Sequence, residues 1–190
     1  MSTPVTVHLM RHGEPAVTGR LLGHADVAAT PAGMAACRAA ARAIGGAAIV
    51  SSDLSRAAAC AAAAGEALAL PVRVDPRWRE LDFGAWDGCT AADLDPADRD
   101  RFWQDPDAYP PPGGERWSAL VARAADALGD LGDGTLVVTH AGAMRAALAA
   151  ACGLDARQVW AFDLPYAAVL TLTLWREDGR LSAQVTGLRR

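Results

Sequence analysis

The sequence predicts an α/β fold, a three-layer sandwich with a mostly parallel, mixed central sheet and helices on both faces. Three observations lead there. Short apolar, β-branched runs alternate with alanine-rich stretches, polar residues stand just past three of those runs, and the end of the chain reads as a hairpin.

Residues 5–10 form a buried strand that halts in a turn at Arg11-His12-Gly13. A loop rich in Gly and Pro follows. Thr30-Pro31 supplies an N-cap with proline at the first helical position, and the alanine-rich stretch to Ile44 is a helix stopped by Gly45-Gly46. Residues 48–50 form a short strand before Ser51-Ser52-Asp53, and alanine carries a helix over 54–70 until Pro71 ends it. Residues 72–74 are a third short strand. The segment 75–117 holds most of the aromatics and prolines and is expected to be a long, partly helical excursion. Residues 117–131 read as a helix, 135–139 as a strand, and 144–152 as a helix that begins beyond His140-Ala141-Gly142. The runs 168–175 and 181–186, on either side of Glu177-Asp178-Gly179, form the closing β-hairpin.

A length of 190 residues suits one domain, 1–190, without an internal boundary. The chain is 52% hydrophobic and 21% charged, with a formal net charge of −4, so no positive field attracts nucleic acid or an anionic membrane. An anionic ligand must be held by local arginines. Cys37, Cys60, Cys89 and Cys152 are scattered, which fits reduced thiols and a cytoplasmic protein. Met1 to Pro4 lead straight into the first strand without the pattern of a secretory signal, and no apolar run is long enough to span a bilayer. The oligomeric state is not readable from these features.

In open α/β sheets ligands bind beyond the carboxyl ends of the strands. Arg11 and His12, the segment 51–56, and Thr139-His140 all fall there. Arginine's planar fork matches a phosphate dianion and never loses its charge, so Arg11 and Arg56 form the natural clamp for a small phosphomonoester. Cationic neighbours keep an imidazole neutral, which leaves His12 a lone pair to attack phosphorus, and His140 suits a second donor to the transferring phosphoryl group. Glu80, set among aromatics, is the candidate acid for the departing alkoxide, and Asp82 two residues on is the alternative. His8 and His24 have weaker claims. The four histidines lack HxH, HxxxH and HExxH spacing, so no metal is expected, and no GxxxxGK[ST] loop or GxGxxG turn supports nucleotide binding.

These residues lie in segments that resemble the histidine phosphatase, or phosphoglycerate mutase-like, superfamily. Leu9-Met10-Arg11-His12-Gly13-Glu14 is similar to its RHG signature, and Ser52-Asp53-Leu54-Ser55-Arg56-Ala57 to its second segment. The stretch from Arg79-Glu80 to Asp87-Gly88 resembles the acid segment, and Val137-Val138-Thr139-His140-Ala141-Gly142 the second-histidine segment. The resemblance implies a mixed sheet flanked by helices and a phosphatase without metal or organic cofactor. It makes His12 the transient phosphoryl carrier, Arg11, Arg56 and His140 the phosphate pocket, and Glu80 the group that donates and recovers a proton. Residues 19–26 and Pro111-Pro112-Gly113-Gly114-Glu115 resemble segments of α-ribazole phosphatases and related small phosphatases, which implies α-ribazole 5′-phosphate as substrate in cobalamin nucleotide-loop assembly and Arg20 among the substrate-binding residues. Pro15, Cys60 and Ala141 depart from the common pattern without removing a candidate catalytic group. A phosphoglycerate mutase-type phosphotransferase is the nearest rival, although Pro15-Ala16-Val17 stands where mutases carry an Asn-rich loop. A non-catalytic phospholigand-binding domain is the rival of another class.

Overall fold

In the computed structural model, which describes residues 3–177 and 179–190, strand β1 (Val5–Arg11) is buried on both sides. Val7 and Leu9 enter one core and Met10 the other, the two-residue alternation of an extended chain. The other elements follow as α1 (Pro31–Ile44), β2 (Ala48–Ser51), α2 (Ser55–Leu68), β3 (Val72–Val74), α3 (Pro96–Gln104), α4 (Trp117–Gly129), β4 (Thr135–Thr139), α5 (Ala141–Cys152), β5 (Val169–Glu177) and β6 (Arg180–Arg189). Single 3₁₀ turns form at Pro76–Trp78, Gly84–Trp86 and Gln158–Ala161.

The strands make a six-stranded sheet in the order β3-β2-β4-β1-β5-β6. The first four in that order run parallel, whereas β5 and β6 are antiparallel additions. Helices α1 and α2 cover one face, where Cys37, Ala41, Ala57, Cys60 and Ala61 pack on Met10, Ile49, Leu136 and Val138. Helices α4 and α5 cover the other, where Leu120, Leu128 and Leu148 meet Val7, Leu9 and Val137. Each of these fully buried leucines stabilises the fold by about 1.5–3 kcal/mol relative to an exposed one. The α/β sandwich predicted from the alternation is the fold observed. No helix of the described residues is long and apolar enough to cross a membrane.

Register sets the position of the site. Arg11 lies level with Thr139 and Ser51 with Val138, so His12, Ser52 and His140 leave the sheet side by side. Backbone bonds from His12 N to Thr139 O at 2.8 Å and from Ser52 N to Val138 O at 3.0 Å hold those exits together.

Three elements differ from the sequence expectation. Helix α5 starts at Ala141, three residues early, because Gly142 is interior to the helix and not a turn residue. Helix α3 lies inside the excursion, nucleated by Pro96 at its first position and by the Asp95 carboxylate accepting from Ala97 N and Asp98 N. Its only buried residue is Phe102, so it shows no apolar period. Strand β6 runs beyond residues 181–186 in both directions. Asp178 of the expected hairpin turn lies outside the described residues, and Gly179 there has φ of 73°.

Candidate active site

His12 is held by its own backbone neighbour. Its Nδ1 lies 2.7 Å from the Gly13 carbonyl, which can only accept, so Nδ1 carries the proton and Nε2 keeps a bare lone pair. Gly13 is needed there: a Cβ at this position would stand 2.1 Å from the backbone oxygen of Gly33 in α1. The His12 ring centroid lies 5.1 Å from that of His140 and 5.7 Å from that of Tyr166. Arg11 stacks its guanidinium over Tyr166 at 4.0 Å and donates from Nη1 to Leu164 O at 2.8 Å.

Arg56, on the first turn of α2, is completely buried, and the loop ahead of α1 closes over it. Its Nη1 donates to Ala25 O at 2.9 Å, and its Nη2 to Leu22 O and Gly23 O at 2.8 and 2.7 Å. The same loop is shaped from the other side by Asp87, whose carboxylate accepts from the amides of Gly23, His24 and Ala25 at 2.7–2.9 Å. Asp87 thus presents the carbonyls that orient the arginine. His140 is fully buried, and its Nε2 is 3.0 Å from Ser52 Oγ. Arg11 Nε, Arg56 Nε and His140 Nδ1 are buried without a hydrogen-bond partner. Buried polar nitrogens left unpaired are costly, and His140 by its ring and Arg56 and Arg11 by their charge all bear on His12, an arrangement able to receive an oxyanion.

Burial is the first cause that pushes the His12 pKa down, to about 3, and Arg56 and Arg11 add to it against the opposing pull of the Gly13 carbonyl. The sequence pointed to the arginines, yet desolvation leads. His140 is also held well below 6.5, chiefly by burial and then by His12, Arg56, Arg11 and Arg123. In the unfolded chain both imidazoles take up protons as the pH falls through about 6.5. The folded protein does not, so its stability is full above that value and declines below it. Urea titrations are expected to show a loss of about 2 kcal/mol from His12 alone between about pH 7.5 and pH 5. Equal stability at the two values would show that a charged imidazole is accommodated in the fold.

Glu80 reaches the site from the excursion. Its Oε1 accepts from Leu81 N at 2.9 Å and its Oε2 from Gly142 N at 3.0 Å, at the start of α5. A Cβ on Gly142 would fall 2.0 Å from Glu80 Oε1, so glycine is what admits the carboxylate to the helix N-terminus. Arg123 clamps the approach, donating to the carbonyls of Arg77, Arg79 and Glu80 at 2.7–2.8 Å while forking onto Glu115. Asp82 has a different place. Its Oδ1 accepts from Gly84 N at 2.8 Å, and its Oδ2 stands 3.6 Å from His24 Nδ1.

A cavity of about 300 Å³ opens beside these groups. Arg11, Glu80, Gly142 and Arg145 supply its polar wall, and Phe83, Phe102, Trp103, Trp117 and Trp160 most of its apolar wall. Tyr109 lies elsewhere, exposed in a second groove with Pro110 and Trp86. Arg20 does not line the cavity; it is exposed and donates to Gly88 O at 2.7 Å. Among the described residues no His, Cys, Asp and Glu cluster could hold a metal ion. Sequence reasoning did not find Asp87, Arg123, Arg145, Trp160 or Tyr166. For Arg145 a signal existed, since it falls three and four residues after Gly142 and Ala141 and shares their helix face.

The model of the histidine phosphatase superfamily, branch 1, matches residues 7–186. The chain belongs to this superfamily. The histidine phosphatase is 34% identical over 197 residues to the bifunctional protein Rv2228c of Mycobacterium tuberculosis, with 96% of this chain and 54% of that protein covered. It is 36% identical over 131 residues to the glucosyl-3-phosphoglycerate phosphatase of the same organism, covering 65% of this chain and 58% of the relative. The chain thus spans about half the length of the curated relatives it matches. The native structure of the mycobacterial glucosyl-3-phosphoglycerate phosphatase Rv2419c superposes with a TM-score of 0.85 at 27% identity, over 97% of this chain and 98% of that one.

Proposed function

We propose that this histidine phosphatase hydrolyses small-molecule phosphomonoesters through a phosphohistidine on His12. The observation that carries the reading is the bare His12 Nε2, on a ring that lies beside His140 and within the charge influence of the buried Arg56 and Arg11. The arginines and His140 bind the phosphoryl oxygens, and their charge and hydrogen bonds strengthen as negative charge builds on them. Nε2 forms a bond to phosphorus as the ester P–O bond breaks, and Glu80 gives its proton to the departing oxygen. Water then attacks phosphorus, returns a proton to Glu80, and releases phosphate and His12. Glu80 is preferred to Asp82 because it lines the cavity with Arg11, which Asp82 does not.

Substrate choice is a finer question. The named phosphatase relatives point toward glucosyl-3-phosphoglycerate. The α-ribazole 5′-phosphate expectation, which rested on residues 19–26 and 111–115, receives no support from them, and Arg20 of that stretch is turned to Gly88.

The test is phosphate release, with EDTA present, from a panel holding glucosyl-3-phosphoglycerate, α-ribazole 5′-phosphate, 3-phosphoglycerate, sugar phosphates, nucleotides and p-nitrophenyl phosphate. Release from at least one ester is expected despite the chelator. A preference of tenfold or more for one ester, equal to about 1.4 kcal/mol, names the substrate class. Loss of all release with EDTA would sink the metal-free mechanism, and isomerisation of 3-phosphoglycerate outrunning phosphate release would favour the phosphotransferase.

A further inference from the structure

Arg145 is the one cationic group on the cavity wall, among the described residues, that the mechanism leaves without a task. It sits on the first turns of α5, on the face shared with Ala141 and Gly142, and so looks into the same cavity as Glu80 and Arg11. Its guanidinium lies 3.9 Å over the Trp160 ring, and no hydrogen bond or ion pair joins it to another described residue. The Nε atom is buried and unpaired. Arg11, by contrast, is anchored on Leu164 O, and Arg123 on Glu115 and three carbonyls.

A guanidinium stacked on an indole keeps its edge free, and that edge is the part that forks onto a planar anion. Partial burial disfavours the charge, Glu80 and Asp163 oppose that without bonding to it, and an anionic ligand in the cavity supplies the direct partner it lacks. The charged groups lining the cavity are Arg11, Arg145 and Glu80. With Arg11 committed to the phosphoryl group and Glu80 holding the proton it gives to the departing oxygen, Arg145 is the one cation left for one negative charge. A second phosphate dianion exceeds it. A carboxylate matches it in charge and in shape.

We propose that Arg145 binds a carboxylate carried on the alcohol part of the substrate and so selects acidic phosphomonoesters. The inference rests on the phosphatase reading and gives that reading its substrate class. Apolar lining from Trp103, Trp117 and Phe102 packs the carbon skeleton between the two anions, and water kept off that stretch strengthens both charge-assisted contacts.

The experiment compares 3-phosphoglycerate with glycerol 3-phosphate, which differ in the carboxylate, for the wild type, Arg145→Met and Arg145→Lys. The wild-type kcat/KM ratio is expected to favour the acid by about ten- to a hundredfold, the range for a hydrogen-bonded charge pair. Arg145→Met should bring the ratio close to one, mainly through KM for the acid, while Arg145→Lys keeps the charge without the fork and retains part of it. A wild-type ratio near one, or a ratio unmoved by Arg145→Met, overturns the proposal. A merely structural arginine would lower both substrates by the same factor, which also overturns it. Calorimetric Kd values for the two compounds, measured on a His12→Ala background with and without Arg145→Met, read the same preference without turnover. His12-dependent release from p-nitrophenyl phosphate with no acid preference removes the Arg145 inference alone, whereas no release from any ester removes the phosphatase reading as well.

Discussion

His12→Ala is expected to reduce phosphate release on the order of 10⁴-fold or more, to the level of residual catalysis by the emptied pocket. The size follows from geometry. His140 is the nearest other imidazole, at a centroid distance of 5.1 Å, but its Nε2 is committed to Ser52 Oγ. Cys60 is near the loop, yet its sulfur accepts from Gly13 N at 3.2 Å and is fully buried, so it is not free to replace His12. Quenched turnovers with a labelled phosphomonoester should trap an acid-labile, base-stable phosphoprotein in the wild type and none in the variant. Removing a buried imidazole also changes packing, so thermal melting is needed beside the assay. A folded variant that keeps wild-type turnover would mean that water, not His12, attacks phosphorus.

The candidate site was legible where chemistry and topology coincide. His12 and His140 each stand one residue past a strand whose apolar run is unmistakable, and the alternation of strands and helices forces parallel neighbours to end at the same edge. Arg56 was visible as a residue type, but its place was not: the three carbonyls that hold it lie 31–34 residues earlier, in a loop without a period. Asp87 gathers amides 62–64 residues away, a role that leaves no trace in local spacing. Arg145 was hidden by a boundary error of three residues. With Gly142 read as a turn, the helix face joining it to Arg145 did not exist, and the close approach of Glu80 that requires the glycine is a tertiary fact.

On the proposed reading, the arrangement also explains how a chain of net negative charge would hold a dianion. The proposed phosphoryl pocket draws nothing from a global field; its cations are fixed by backbone carbonyls, which cost no competing counter-charge. Arg56 is therefore oriented before the ligand arrives, and its remaining buried donor is spare. Preorganised donors of this kind need little rearrangement as charge moves onto the phosphoryl oxygens. Arg79, paired with Asp53, and Arg77, paired with Asp75 and Asp130, brace the outer shell of the same segment at partly exposed positions, where ion pairs contribute little on their own.

Glu80→Gln separates the acid from the nucleophile. The amide nearly preserves the size of the carboxyl, but Glu80 accepts at both oxygens, from Leu81 N and Gly142 N, and an amide offers a single acceptor oxygen. One of those contacts becomes donor against donor, so a modest loss common to every substrate is expected from displacement. The chemical effect appears on top of it. An alkyl phosphate leaves as a strongly basic alkoxide and needs the proton in the transition state, so its kcat/KM should fall about 10²- to 10⁴-fold. p-Nitrophenolate leaves without help, and p-nitrophenyl phosphate should fall far less. The comparison belongs in kcat/KM because, in the proposed mechanism, that ratio ends at phosphoryl transfer, whereas kcat includes water attack on phosphohistidine, the step in which Glu80 takes a proton whichever ester was used. Equal losses in kcat/KM for the two esters would reduce Glu80 to a positioning group at the start of α5, and proton donation to the leaving oxygen would then fall to a group other than Glu80.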